Sequence, residues 1–138
     1  MPNHCHNTLK VTHKDPELIN KFYYDNTFED DEEELSFNYL IPEPEGWSDE
    51  CLYDWSIKNW GTKWDCWETD VEKKKNELIY TFTTAWNPPV YWFDKLVTKY
   101  PDYYIKLEYE DPYVCLLGYY EFKKGELNRS MVCNEIIE

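Results

Sequence analysis

This sequence predicts an α+β domain in which helices cover one face of a mainly antiparallel sheet. Three observations carry that expectation. Strand-like alternation of apolar and polar residues recurs along the chain, two segments show helical spacing directly after an Asx-Pro pair, and each of those segments is flanked by stretches that read as strands. With 138 residues, 42% hydrophobic and 19% aromatic, the chain is large enough for one core and is read as a single domain over 1–138.

The elements follow in order. Leu9 and Val11 alternate with Lys10 and Thr12, a strand with one apolar face. Asp15-Pro16 reads as an N-cap with a first-turn proline, and Leu18, Ile19, Phe22 and Tyr23 fall on one side of the helix that follows. The acidic run Glu29 to Glu34 reads as a solvated loop, after which Leu35, Phe37 and Tyr39 predict a second strand ended by Pro42 and Pro44. From about 43 to 76 no clean period is visible, and a Trp-rich insertion of that length is expected to be functional. Alternation returns at Leu78, Tyr80 and Phe82. Asn87-Pro88-Pro89 repeats the capping signature before Phe93, Leu96, Val97 and Tyr100, a second helix closed by Pro101. Ile105, Leu107 and Tyr109 predict a strand, Asp111-Pro112 a turn, and Val114 to Phe122 a further strand that ends at Lys123-Lys124-Gly125. The tail over 126–138 has weak signals only. The order β-α-β, insertion, β-α-β-β matches a ferredoxin-like arrangement, with β-α-β repeated and the helices on one face.

Charge and cysteine usage narrow the function classes. The formal charge is −14, and Arg129 is the only Arg, so the chain lacks the basic face that duplex nucleic acid requires. The five cysteines, at 5, 51, 66, 115 and 133, form no CxxC pair, and the start MPNHCHNTLKV has no apolar run, so neither a membrane anchor nor a signal peptide is expected and a cytoplasmic location is. His4, Cys5, His6 and His13 do not complete a metal set, because adjacent residues of an extended segment point to opposite faces. With no catalytic signature present, neither enzymatic activity nor a cofactor is expected.

Two stretches carry the candidate site. In Asn59-Trp60-Gly61-Thr62-Lys63-Trp64, with Trp67 following, indoles flank a hydroxyl and a cation, a composition able to stack a planar ring while Lys63 meets a negative group. Packing at the end of the sheet is the plainer role for Trp60 and Trp64. In Trp86-Asn87-Pro88-Pro89-Val90-Tyr91-Trp92 a helix start offers N–H groups to an anion, with Trp86, Asn87, Tyr91 and Trp92 beside it. Capping by Asn87 and core packing by Trp86 and Trp92 are the plainer roles there. A further candidate is partner binding by Glu29, Asp30, Asp31, Glu32, Glu33 and Glu34, extended by Glu43, Glu45, Asp49, Glu50 and Asp54.

Several of these residues resemble a known family. Pro2-Asn3-His4 with Asn7 and Leu9, Phe37 with Pro42 and Pro44, the NWGTKWD stretch at 59–65, Thr84-Ala-Trp-Asn-Pro-Pro89 with Trp92, and Gly118 together resemble the Api92-like family of phages, prophages and plasmids, whose ferredoxin-like domain is related to that of the plasmid protein YubB. The resemblance covers about residues 2 to 125. It implies the fold and a mobile-element origin, and it brings no catalytic residue. The expected function is that of a non-enzymatic counter-defence protein that sequesters a nucleotide-like host signal in the aromatic cleft. The alternative is an acidic inhibitor or nucleic-acid mimic that blocks a basic host protein. Two edge strands and many aromatics favour a homodimer.

Overall fold

A computed structural model describes residues 4–27, 34–111 and 116–133 of the chain. Its elements are β1 (His4–Thr12), α1 (Pro16–Asn26), α2 (Phe37–Leu40), α3 (Asp49–Asn59), β2 (Trp67–Lys73), β3 (Glu77–Ala85), α4 (Val90–Lys99), β4 (Tyr104–Asp111), β5 (Leu116–Lys123) and β6 (Glu126–Cys133). The strands form one sheet in the order β2-β3-β1-β4-β5-β6, and every pairing is antiparallel. Strands β1 to β4 with α1 and α4 make the ferredoxin-like β-α-β-β-α-β unit, and the β5-β6 hairpin extends it.

The alternation that predicts β1 is also what positions it. Cys5, Asn7, Leu9 and Val11 are buried while the residues between them face outward. In register, Leu9 lies between Tyr80 and Leu107, and Val11 between Leu78 and Ile105, so one face of the three central strands is continuous apolar surface. Helices α1 and α4 cover that face. Asp15 caps α1 by accepting the Glu17 N–H at 2.9 Å, and Phe22 on its inner side meets Tyr80 and Tyr100. From α4, Trp92, Phe93, Leu96 and Val97 are buried against the same core. The opposite face stays polar, with Lys106 and Lys10 sharing Glu108 across it at 3.7 and 3.6 Å.

Three expectations are corrected. The segment at Leu35, Phe37 and Tyr39 is not a strand: Leu35 and Phe37 are buried, but the chain turns into the short α2 at Phe37 because Ser36 caps it by accepting the Asn38 N–H and the Asp65 carboxylate accepts the Phe37 N–H at 2.7 Å. The stretch 43–76 is not irregular throughout, since it holds α3 and the edge strand β2, and β2 is the strand that completes the first β-α-β unit. The tail from Glu126 forms β6, joined to β5 by a two-residue turn in which Lys124 and Gly125 both take positive φ, 51° and 79°. The turn expected at Asp111-Pro112 and the acidic run Glu29 to Asp31 with Glu32 and Glu33 lie outside the described residues, apart from Asp111 itself; Glu34 lies within them, half-buried. On the outer edge, β2 exposes Glu68, Asp70, Glu72 and Lys73, and such charges oppose pairing with a further strand.

Candidate functional site

The two motifs singled out in the sequence meet at one end of the sheet. Helix α3 begins at Ser48, whose hydroxyl accepts the Cys51 N–H at 3.4 Å, and carries Asp49 and Glu50 in its first turn, where the helix dipole favours them. It stops because Gly61 takes a φ of +92°, with the N–H groups of Trp60 and Gly61 both directed at the Ser56 carbonyl. The turn then locks onto its neighbours: the Trp60 carbonyl accepts the Trp92 N–H at 3.2 Å and the Thr62 hydroxyl donates to the Ala85 carbonyl at 2.7 Å. Gly61 presses on the start of α4, where a Cβ would come within 2.9 Å of the Val90 nitrogen and 3.2 Å of that of Tyr91.

This contact sorts the expected site residues into an inner and an outer set. Trp60 is 1% exposed, its indole N–H donates to the Ile41 carbonyl at 3.0 Å, and its ring packs on Trp55 and Phe37. Trp92 is equally buried, against Phe37 and Phe82. Trp60, Gly61, Thr62 and Trp92 are therefore core, and the expectations that Trp60 stacks a ligand and that Trp92 lies beside one are corrected, because both rings are buried. Asn59 turns back on its own helix, its amide donating to the Trp55 carbonyl at 2.8 Å. Asn87 is not the cap of α4: Pro89 holds that position without a side-chain bond, and Asn87 is exposed, its N–H on the Ala85 carbonyl. The start of α4 is covered by the Trp60-Gly61 turn, which corrects the expectation of an open anion site there.

The outer set remains accessible. The Lys63 ammonium lies over the Tyr53 ring at 4.8 Å and the Trp64 ring at 5.1 Å, and Trp64 continues through Trp67 to His4 in a row of edge-on and tilted rings. Trp86, at φ 70°, and Tyr91 are 45% and 52% exposed. Between α3 and the Lys63 turn lies a cleft of about 250 Å³ whose rim includes Asn38, Glu43, Asp49, Tyr53, Lys63 and Trp64, so its one cation is flanked by carboxylates. Asp65, at the base, is a structural group that sequence reasoning missed: besides the Phe37 N–H it accepts the Cys66 N–H at 2.8 Å and bonds the Ser36 hydroxyl. Its place within NWGTKWD was the available signal.

Around this cleft the surface is acidic and aromatic together. On α3, Glu50, Tyr53, Asp54 and Ile57 are exposed, and Tyr39 and Trp47 stand out from the segments before it, 49% and 50% exposed. Cys5, Cys51 and Cys66 divide in the same way: Cys51 is exposed, whereas burial pushes the Cys5 thiol up to about 12 and Cys66 donates its S–H to the Leu35 carbonyl. Maleimide labelling of the native protein, read by site-resolved mass spectrometry, is expected to modify Cys51 within minutes while Cys5 and Cys66 react only on unfolding. Equal rates at Cys5 and Cys51 would contradict the packing of β1.

Among the described residues no helix is long and apolar enough to cross a membrane. In comparisons with known proteins, the family described as the ferredoxin-like domain in Api92-like protein matches residues 60–137, a span that begins at Trp60 and includes β2 through β6. Among curated proteins and among solved structures, nothing matches the chain.

Proposed function

The chain belongs to the Api92-like family, and from that premise we propose that it is a non-enzymatic accessory protein of a mobile element that acts by binding a basic host protein through the acidic, aromatic surface around α3. The observation that supports this reading is the make-up of that surface, where Glu43, Glu45, Asp49, Glu50 and Asp54 surround the exposed Trp47, Tyr53 and Ile57. Exposed aromatics among mainly acidic neighbours, five carboxylates against Lys58 and Lys63, are the composition of a protein interface whose partner carries the opposite sign. A counter-defence role follows if that partner is part of the host's defences.

The same geometry weighs against sequestration of a nucleotide-like signal at this end of the molecule. Trp60 and Trp92 offer a base no free ring face, which leaves only the outer rings such as Trp86 and Tyr91; a phosphate needs unopposed cations, and Lys63 is held over two rings beside Glu43 and Asp49. Affinity purification from host cells at low salt, repeated with a Glu50→Lys/Asp54→Lys variant, tests the interface reading. One partner is expected to be retained by the parent, to elute as salt is raised, and to bind the folded variant about tenfold more weakly or worse. A partner held equally by both proteins, or indifferent to salt, would defeat the reading.

A further inference from the structure

At the end of the sheet opposite the Trp60 turn, the last residues of β1, the first of β4 and the β5-β6 turn line a second cavity, open to solvent, of about 630 Å³. Its lining gathers cations in a chain of net charge −14: Lys14, Lys123 and Lys124 stand near His13 with one carboxylate, Asp102. Among the described residues Lys14, Lys123 and Lys124 form no salt bridge, as is true of about half a dozen other lysines; what sets these three apart is that they line one cavity.

The backbone holds these groups in place. Asn76 donates to the carbonyls of both His13 and Lys14, at 3.0 and 2.8 Å, and its own carbonyl accepts the His13 N–H. The Nδ1 of His13 accepts the Asp15 N–H at 2.9 Å, which leaves the ring proton on Nε2 as a donor. On the other side, positive φ at both Lys124 and Gly125 fixes a tight hairpin turn that presents Lys123 and Lys124. Tyr104 bonds its hydroxyl to Glu121, and burial together with that bond pushes its pKa up to about 12, so it contributes a neutral ring to the wall and keeps Glu121 occupied.

We propose that this cavity, framed by His13, Lys14, Tyr104, Lys123 and Lys124, binds a free nucleotide, its phosphates on the lysines and its base against the tyrosine wall. The volume suits a ligand of that size and is larger than an inorganic phosphate needs. Lys14 from one turn and Lys123 with Lys124 from another line the same cavity, and their ammonium groups can supply the charge-assisted bonds that phosphate oxygens require. The site is separate from the acidic surface around α3, and neither depends on the other.

Titration of the isotope-labelled full chain with ADP, followed by amide NMR shifts, tests this. Shifts are expected at Thr12 to Lys14, Asp102 to Tyr104 and Lys123 to Gly125, with little response to adenosine. The Lys14→Gln/Lys123→Gln/Lys124→Gln variant, altered only at exposed side chains, is expected to keep its spectrum and to bind ADP at least about tenfold more weakly. No shifts at millimolar ADP, equal binding of adenosine, or unchanged affinity of the variant would overturn the proposal. So would tighter binding of a 5′-phosphorylated single-stranded hexanucleotide with shifts spread over the open face of the sheet, which would mark a strand-binding surface instead.

Discussion

Gly61→Ala is expected to lower the stability of the fold by about 3 kcal/mol in urea unfolding, with the slope of the transition unchanged. Two costs add. An L-residue held at a φ of +92° is strained by about 1 to 2 kcal/mol, and the new methyl would stand 2.9 Å from the Val90 nitrogen, a backbone atom that cannot rotate away, for about 1 to 3 kcal/mol more. Gly46 is the internal control. It has a similar φ, +79°, but a Cβ there would meet nothing within 4 Å, so Gly46→Ala should cost only the strain, about 1 kcal/mol. If the two variants lost the same amount, the contact between the Trp60-Gly61 turn and α4 would contribute nothing, and the two motifs would be neighbours without being coupled.

Trp60→Ala is expected to cost about 4 kcal/mol, in the range for truncating a fully buried aromatic residue. The milder pair Trp60→Phe and Trp92→Phe is more informative. Both keep a ring, yet Trp60→Phe strands the buried Ile41 carbonyl, which costs about 1 to 3 kcal/mol, whereas Trp92→Phe removes a buried indole N–H that has no acceptor among the described residues. Trp60→Phe should therefore be clearly destabilised and Trp92→Phe close to the parent, measured by the same unfolding experiment. The reverse order would show that the Trp60 hydrogen bond is not formed in solution. Trp64→Ala, at a half-buried ring, should cost well under the Trp60 figure.

The elements that were legible in the sequence are those with one dry face. β1, α1, β3, α4 and β4 all lie on the central core, and their burial patterns repeat the apolar spacing along the chain. The elements that were not legible lack such a face. Helix α3 buries only Ser56 completely and exposes Glu50, Tyr53, Asp54 and Ile57, so its apolar residues describe no stripe. Strand β2 is an outer edge interrupted by a bulge after Trp67, and β6 is the edge at the other side of the sheet, with exposed side chains from Glu126 to Arg129. The segment around Phe37 misled for the opposite reason. Two residues apart, Leu35 and Phe37 are both buried, but the Asp65 carboxylate draws the backbone into a turn between them and Tyr39.

The candidate sites divide along the same line. NWGTKWD and TAWNPP stood out in the sequence as aromatic motifs, but that both lie at one end of the sheet follows from the tertiary pairing, in which the Thr62 hydroxyl bonds the Ala85 carbonyl and Gly61 rests on Val90. Which indoles face water could not, because the chain from Trp60 to Trp67 has no period from which direction can be read. Only the seating of Gly61 against Val90 decides that Trp60 points into the core and Lys63 with Trp64 point out. The lysine cavity was equally hidden, as Lys14 and Lys123 lie far apart in the chain and line one cavity only because β1 and β5 both flank β4. By itself the sequence determined the sheet-and-helix class, the acidic charge and the family resemblance, all of which depend on composition and short-range spacing. Tertiary structure alone decided which aromatics are surface and which cations converge, since both depend on contacts between segments distant along the chain.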